Sequence, residues 1–121
     1  MGRILLIDDA QFARSVLRTI LEDKGYVICG EAENGREGVE RSKELRPDMV
    51  FCDIRMNEMD GKDCVRAILA EDPKAKVVVC TSLEYQASIS DLIKAGAKGY
   101  ISKPINAMRL LHVTKELIGE P

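Results

Sequence analysis

"DMVFCD", residues 48–53, sets four apolar side chains between two aspartates. A half-buried strand alternates apolar and polar residues, but Met49 to Cys52 offers apolar groups to both faces. A strand of this kind is covered on each side, which calls for a parallel sheet with helices on both faces. "RILLID" (3–8) reads the same way, and so does "KVVVCTS" (76–82), the most β-branched run in the chain. "YVICGEAE" (26–33) and the short "GYISKP" (99–104) complete five candidate strands.

Helical patterns fill the spaces between them. Phe12, Val16, Leu17, Ile20 and Leu21 recur at three- and four-residue spacing, and Gly25 closes that helix. Asn34 can cap a second helix, with Glu37 three residues on completing a capping box, and this helix ends at Leu45 before Arg46-Pro47. Asp60-Gly61 opens a third helix that runs through Ile68 and Leu69. Ile89, Leu92 and Ile93 mark a fourth, stopped by Gly96. Asn106 can cap a last helix carrying Leu110, Leu111, Thr114, Leu117 and Ile118 on one face. Strands alternate with helices from end to end, without repeat or linker, so residues 1–121 are expected to form one α/β domain.

Composition narrows the function classes. The chain has 121 residues, 45% hydrophobic and 31% charged, with a net charge of −2. Lysines and arginines are spread rather than clustered, Trp is absent and aromatics are scarce, which argues against nucleic-acid binding. No segment approaches the roughly 20 apolar residues of a membrane span. Met1-Gly2-Arg3 leads directly into a strand, leaving no room for a signal peptide, so the expected location is the cytoplasm. Cys29, Cys52, Cys64 and Cys80 lack CxxC spacing and read as reduced core thiols, with Cys52 and Cys80 inside strands. The single histidine, His112, lies on the last helix and reads as a solvated surface residue.

In an open parallel sheet, chemistry collects beyond the carboxyl ends of the strands. Asp8-Asp9 ends the first strand, Asp53 the third, Thr81-Ser82 the fourth and Lys103 the fifth. If the strands order as 2-1-3-4-5, three carboxylates, a hydroxyl and an ammonium converge on one crevice. A carboxylate before a helix is usually a cap, but reactive-type residues at all four strand ends are not expected by chance. Two unit charges about 5 Å apart cost about 3 kcal/mol at an effective dielectric of about 20. A hard divalent cation removes that cost, and oxygen ligands select Mg²⁺, Mn²⁺ or Ca²⁺. Mg²⁺ commonly completes its shell with phosphate oxygens, and a lysine and a hydroxyl suit the remaining ones. One carboxylate would then be a nucleophile forming an acyl phosphate.

"LLIDDAQ", "CDIRMNEMDG", "VVVCTS" and "AGAKGYISKP", in this order and at these strand ends, resemble the receiver domain of two-component response regulators. Among its members the chain is most similar to the stand-alone chemotaxis regulators. The resemblance spans essentially the whole chain and implies a flavodoxin-like, doubly wound (βα)5 fold with sheet order 2-1-3-4-5. It implies Asp53 as phosphoacceptor, and Asp8 and Asp9 as the acidic pair for Mg²⁺, or Mn²⁺ in its place. Asp9 would bind the metal directly, Asp8 at least through water, and the backbone carbonyl of Arg55 would be a further ligand. Thr81 would hydrogen-bond the phosphoryl group, and Lys103 would pair with one of its oxygens. Tyr100 matches the aromatic switch position, and Lys103-Pro104 the family's cis peptide. Asn57 stands where the family's loop commonly has proline. By the same resemblance, Arg55 and Leu83 occupy positions that would line the entrance to the phosphoryl site and bear on the lifetime of the phosphorylated state. Ser82 takes a place where Ala or Gly is frequent.

The implied function is a signalling switch rather than an enzyme acting on other molecules. It would be a monomer that takes its phosphoryl group from a sensor histidine kinase. It would then bind a target, such as a motility switch component or a phosphatase, through the face built by the fourth helix, fifth strand and fifth helix. Within the family a phosphorelay intermediate and the receiver of a longer regulator are alternatives to a chemotaxis regulator. An aspartyl-phosphate phosphatase of the haloacid-dehalogenase type fits less well, because its first strand carries "DxD" and the nucleophile. A flavin carrier fits poorly too, since Asp8-Asp9 would repel the flavin phosphate.

Overall fold

The computed structural model of the chain describes residues 2–54, 61–81 and 89–121. Its elements are β1 (Arg3–Ile7), α1 (Gln11–Asp23), β2 (Val27–Ala32), α2 (Gly35–Leu45), β3 (Met49–Asp53), α3 (Gly61–Glu71), β4 (Val77–Thr81), α4 (Ile89–Ala95), β5 (Gly99–Ser102) and α5 (Ala107–Ile118). The strands form one parallel sheet in the order β2-β1-β3-β4-β5, as the sequence pattern and the resemblance imply. No helix of the described residues is long and apolar enough to cross a membrane.

Successive strand residues face opposite sides of the sheet, and each side has its own core. Ile4, Leu6, Met49, Phe51, Val78 and Cys80 pack under α1 and α5 with Leu17, Leu21, Leu110 and Val113. Leu5, Ile7, Val50, Cys52, Val77 and Val79 pack under α2, α3 and α4 with Cys64, Val65, Ile68 and Leu92. The strand β3 is buried throughout, which explains why "DMVFCD" is apolar on both faces.

Local signals set the ends of the elements. The Asn34 side chain accepts from the Glu37 N–H at 2.8 Å, and Asn106 does the same for Arg109 at 3.0 Å. The return bond of the capping box goes one residue earlier than the motif requires, with the Glu37 carboxylate accepting from the Glu33 N–H at 3.3 Å. Gly96 ends α4 at φ +116°, a conformation that a side chain would strain.

Three expectations from the sequence need correction. Phe12 continues the apolar stripe of α1, yet it is 80% exposed, and the buried part of that helix begins at Leu17. Ile93 is exposed as well, whereas Leu92 beside it on α4 is buried. Cys29 is only half-buried, whereas Cys52, Cys64 and Cys80 are core thiols, and all four are free. The β1–β2 register explains Cys29: Ile4 pairs with Ile28 and Leu5 with Gly30, so Cys29 is the extra residue of an irregularity.

Candidate functional site

The ends of β1, β3, β4 and β5 meet at the carboxyl edge of the sheet. Pairing sets Ile7 beside Cys52, Asp53 beside Cys80, and Thr81 beside Ser102. Asp8, Asp53, Thr81 and Lys103 therefore stand close to level along one edge. Asp8, Asp53 and Thr81 are buried polar residues, and Asp9 faces solvent. One carboxylate oxygen from each of Asp8, Asp9 and Asp53 lies within 4.8 Å of the others. The Asp8 carboxylate also accepts from the Ala10 N–H at 2.9 Å, which turns the chain from β1 toward α1.

Lys103 closes the site from the β5 side. Its Nζ lies 3.3 Å from Asp53 Oδ1 and 3.6 Å from Asp8 Oδ2. Partial burial works against its charge, but the facing carboxylates of Asp53 and Asp8 outweigh burial and hold its pKa above the ordinary lysine value. Its backbone N–H donates to the Thr81 carbonyl at 2.7 Å, and the Lys103-Pro104 peptide is cis. The thiols beside the site are kept protonated. Burial pushes Cys80 up to about 12 against the pull of Lys103, with Asp53 and Asp8 adding to the rise. A hydrogen bond with Cys64, together with burial, raises Cys52. Neither thiol is placed to compete with a carboxylate as nucleophile at neutral pH.

Tyr100 stands apart from this cluster. Alternation along β5 puts Ile101 in the core under α1 and α5, so Tyr100 lies on the α4 side, 37% exposed. It pairs with Val79, two residues before Thr81 on the neighbouring strand. Arg55, Asn57, Ser82 and Leu83 lie outside the described residues. The structure thus brings together Asp8, Asp9, Asp53, Thr81 and Lys103. The donor set is all oxygen, and three carboxylates facing one ammonium leave an excess of negative charge. That combination fits a hard divalent cation such as Mg²⁺.

Sequence reasoning missed a second set of charges beside the acidic pair. Arg14 on α1 donates from Nη1 to the backbone carbonyl of Asp8 and from Nε to Glu31 Oε1 at 2.8 Å. Arg18 holds the other Glu31 oxygen through Nη2 at 2.6 Å and Nε at 2.9 Å. The available signal was a glutamate inside an apolar strand, "YVICGEAE", facing two arginines spaced four apart on the preceding helix.

The profile of the response regulator receiver domain family matches residues 4–115. The chemotaxis protein CheY of Thermotoga maritima is 45% identical over 115 residues, covering 95% of this chain and 96% of the relative. Among solved structures, the response regulator domain of T. maritima CheB is similar with a TM-score of 0.89 at 28% identity, covering 98% of this chain and 97% of that one. A chain of the CheX–CheY–BeF3–Mg²⁺ complex from Borrelia burgdorferi is similar with a TM-score of 0.90 at 30% identity, covering 94% and 87%.

Proposed function

The chain belongs to the response regulator receiver family, and we propose that it is a phosphorylatable switch whose acceptor is Asp53. In this reading a sensor histidine kinase is the phosphoryl donor and Mg²⁺, or Mn²⁺ in its place, is the cofactor. The observation that carries the reading is the cluster of Asp8, Asp9 and Asp53 carboxylates within 4.8 Å, opposed by the Lys103 ammonium 3.3 Å from Asp53.

A carboxylate oxygen of Asp53 attacks phosphorus, and the bond from phosphorus to the donor imidazole nitrogen breaks. The bonding pair leaves with the imidazole, and an acyl phosphate forms on Asp53. Lys103, already beside this carboxylate, pairs with a phosphoryl oxygen, and the Thr81 hydroxyl donates to another. Asp8 and Asp9 would hold the cation with Asp53, Asp9 directly and Asp8 at least through water, and the Arg55 carbonyl would complete the protein ligands. When bound, the cation neutralises the carboxylates and the incoming phosphoryl oxygens.

Output follows from the same residues. Phosphorylation of Asp53 adds roughly one negative charge and three acceptor oxygens at neutral pH. Drawing Thr81 toward them vacates space on the α4 side of the sheet, and Tyr100 turns into it. The surface altered is that of α4, β5 and α5. Moving such a switch from 1:99 to 99:1 takes about 5.5 kcal/mol. A charge-assisted pair at about 1.5–3 kcal/mol and a hydroxyl bond at about 1 kcal/mol fall short of that. The partner's binding energy therefore completes the shift.

The 45% identity to T. maritima CheY supports a chemotaxis or motility regulator, acting as a cytoplasmic monomer with residues 1–121 as one receiver domain. The Borrelia complex suggests a CheX-like protein as one class of partner, beside a motility switch component. The likeness to the CheB receiver keeps a longer regulator as the second reading, with a phosphorelay step beside it. Intact-mass measurement after incubation with acetyl phosphate and Mg²⁺ tests the central claim. The wild-type chain should gain one phosphoryl group, and Asp53→Asn none. An adduct on Asp53→Asn at wild-type yield, or none on the wild type, would overturn it.

A further inference from the structure

The two peptide units flanking the Asp8 Cα are held by different parts of the fold. The Asp8 N–H donates to the Ala32 carbonyl at 3.0 Å, so β2 holds the peptide between Ile7 and Asp8. The Asp8 carbonyl accepts from Arg14 Nη1, so a side chain of α1 holds the peptide between Asp8 and Asp9. The plane of that second peptide sets the direction in which Asp9 leaves the backbone. Asp9 is the exposed member of the acidic trio, while the Asp8 carboxylate is already engaged by the Ala10 N–H and Lys103.

A guanidinium so close to a cation site would by itself oppose the cation. The structure supplies an answer to that. The Arg14 side chain is 13% exposed and bonded at 2.8 Å to Glu31, whose other oxygen is held by Arg18. Arg18 in turn reaches Glu22 at 2.9 Å. The planar fork of arginine lets one side chain serve the Asp8 carbonyl and Glu31 together, which a lysine ammonium does less well.

We propose that Arg14, neutralised by Glu31, is a positioning residue that fixes the peptide plane joining Asp8 to Asp9 and thereby preorganises the cation site. This role rests on the receiver reading above. It predicts a sign opposite to that of simple charge. If Arg14 acted only as a nearby positive charge, removing it would tighten Mg²⁺ binding. As a positioning residue its removal weakens binding, by about tenfold if it behaves like other groups that orient metal ligands.

The test is calorimetric titration of the full chain with Mg²⁺ alone, without a phosphoryl donor, alongside thermal unfolding of each variant. Arg14→Ala should bind Mg²⁺ more weakly than wild type while keeping its fold, because Arg18 still holds Glu31. Arg14→Lys, which keeps the charge and loses the fork, should also bind more weakly. Glu31→Gln should weaken binding by leaving the Arg14 charge opposite the cation, with a loss that shrinks at high salt. Unchanged or tighter binding by a folded Arg14→Ala would overturn the proposal. If that variant does not fold, wild-type affinity in Arg14→Lys would overturn it equally. Absence of Mg²⁺ binding in the wild type would instead count against the receiver reading itself.

Discussion

Lys103 touches both halves of the site: its ammonium stands 3.3 Å from Asp53 Oδ1, and its backbone N–H is bonded at 2.7 Å to the carbonyl of Thr81. A change of charge at Asp53 therefore reaches the ends of β4 and β5 through a single residue. Thr81 itself is fully buried, so any movement of its side chain must be matched by its neighbours.

Thr81→Ala should accept a phosphoryl group as the wild type does and yet fail to transmit it. In the proposed switch the hydroxyl takes no part in bond formation at Asp53, and its displacement would open space for Tyr100. Amide hydrogen exchange over residues 84–110, with and without beryllofluoride and Mg²⁺, reads this directly. Protection changes in the wild type should spread to α4 and β5, and in Thr81→Ala they should stay near Asp53. Equal spread in both chains would remove Thr81 from the output route.

Asp9→Ala should weaken Mg²⁺ more than Asp8→Ala. Asp8 spends one carboxylate oxygen on the Ala10 N–H at 2.9 Å and presents the other toward Lys103 at 3.6 Å, whereas Asp9 faces solvent. Removing the exposed Asp9 also relieves repulsion within the trio, so Asp9→Ala should be at least as stable as wild type without metal. Asp8→Ala also gives up the Ala10 N–H bond and the Lys103 contact and should be less stable than Asp9→Ala. Calorimetric titration and thermal unfolding in chelator check the two halves. Equal losses of affinity would show that both acids are direct ligands.

Gly61→Ala should destabilise the fold. A Cβ at Gly61 would sit 2.4 Å from the Ile54 Cα, and the Gly61 N–H donates to the Ile54 carbonyl at 3.0 Å. Ile54 directly follows Asp53, and its backbone cannot yield as a flexible side-chain tip would. Overpacking of this kind costs about 1–3 kcal/mol. Urea unfolding should show a lower midpoint than wild type, and an unchanged midpoint would mean that the start of α3 moves freely away from β3.

Glu31 should contribute stability that disappears in acid. Burial alone would raise its carboxyl pKa, but bonds from Arg18 and Arg14 prevail and hold it below its ordinary value of 4.5. A carboxyl whose folded pKa is depressed stabilises the fold above its unfolded pKa, and that stability is lost as pH falls through the folded value. The difference in thermal midpoint between wild type and Glu31→Gln should therefore be full at pH 7 and shrink as the pH drops below 4.5. A difference independent of pH would mean that the variant loses packing rather than charge pairing.

Much of the architecture is written locally in the chain. Runs such as Met49 to Cys52 are apolar on both faces only where helices cover both sides, so the strands and their parallel arrangement follow from composition along a few residues. The reactive side chains were legible for a related reason: polar groups at the ends of buried strands are conspicuous in sequence. Other features depend on contacts between distant segments. Phe12 and Leu17 belong to one helical stripe, but only Leu17 has sheet and α5 residues to pack against, and periodicity cannot say where cover runs out. Cys29 lies in an apolar strand but is displaced by a register shift that only pairing with β1 defines. The bond from Arg14 to the Asp8 carbonyl joins a side chain to a backbone group, which leaves no residue pattern to read. Which residues end the strands is readable along the chain, because burial dictates their neighbours in it. Their separations, and the contacts that hold the acidic pair, arise only on folding, because they depend on register and helix docking between segments far apart in sequence.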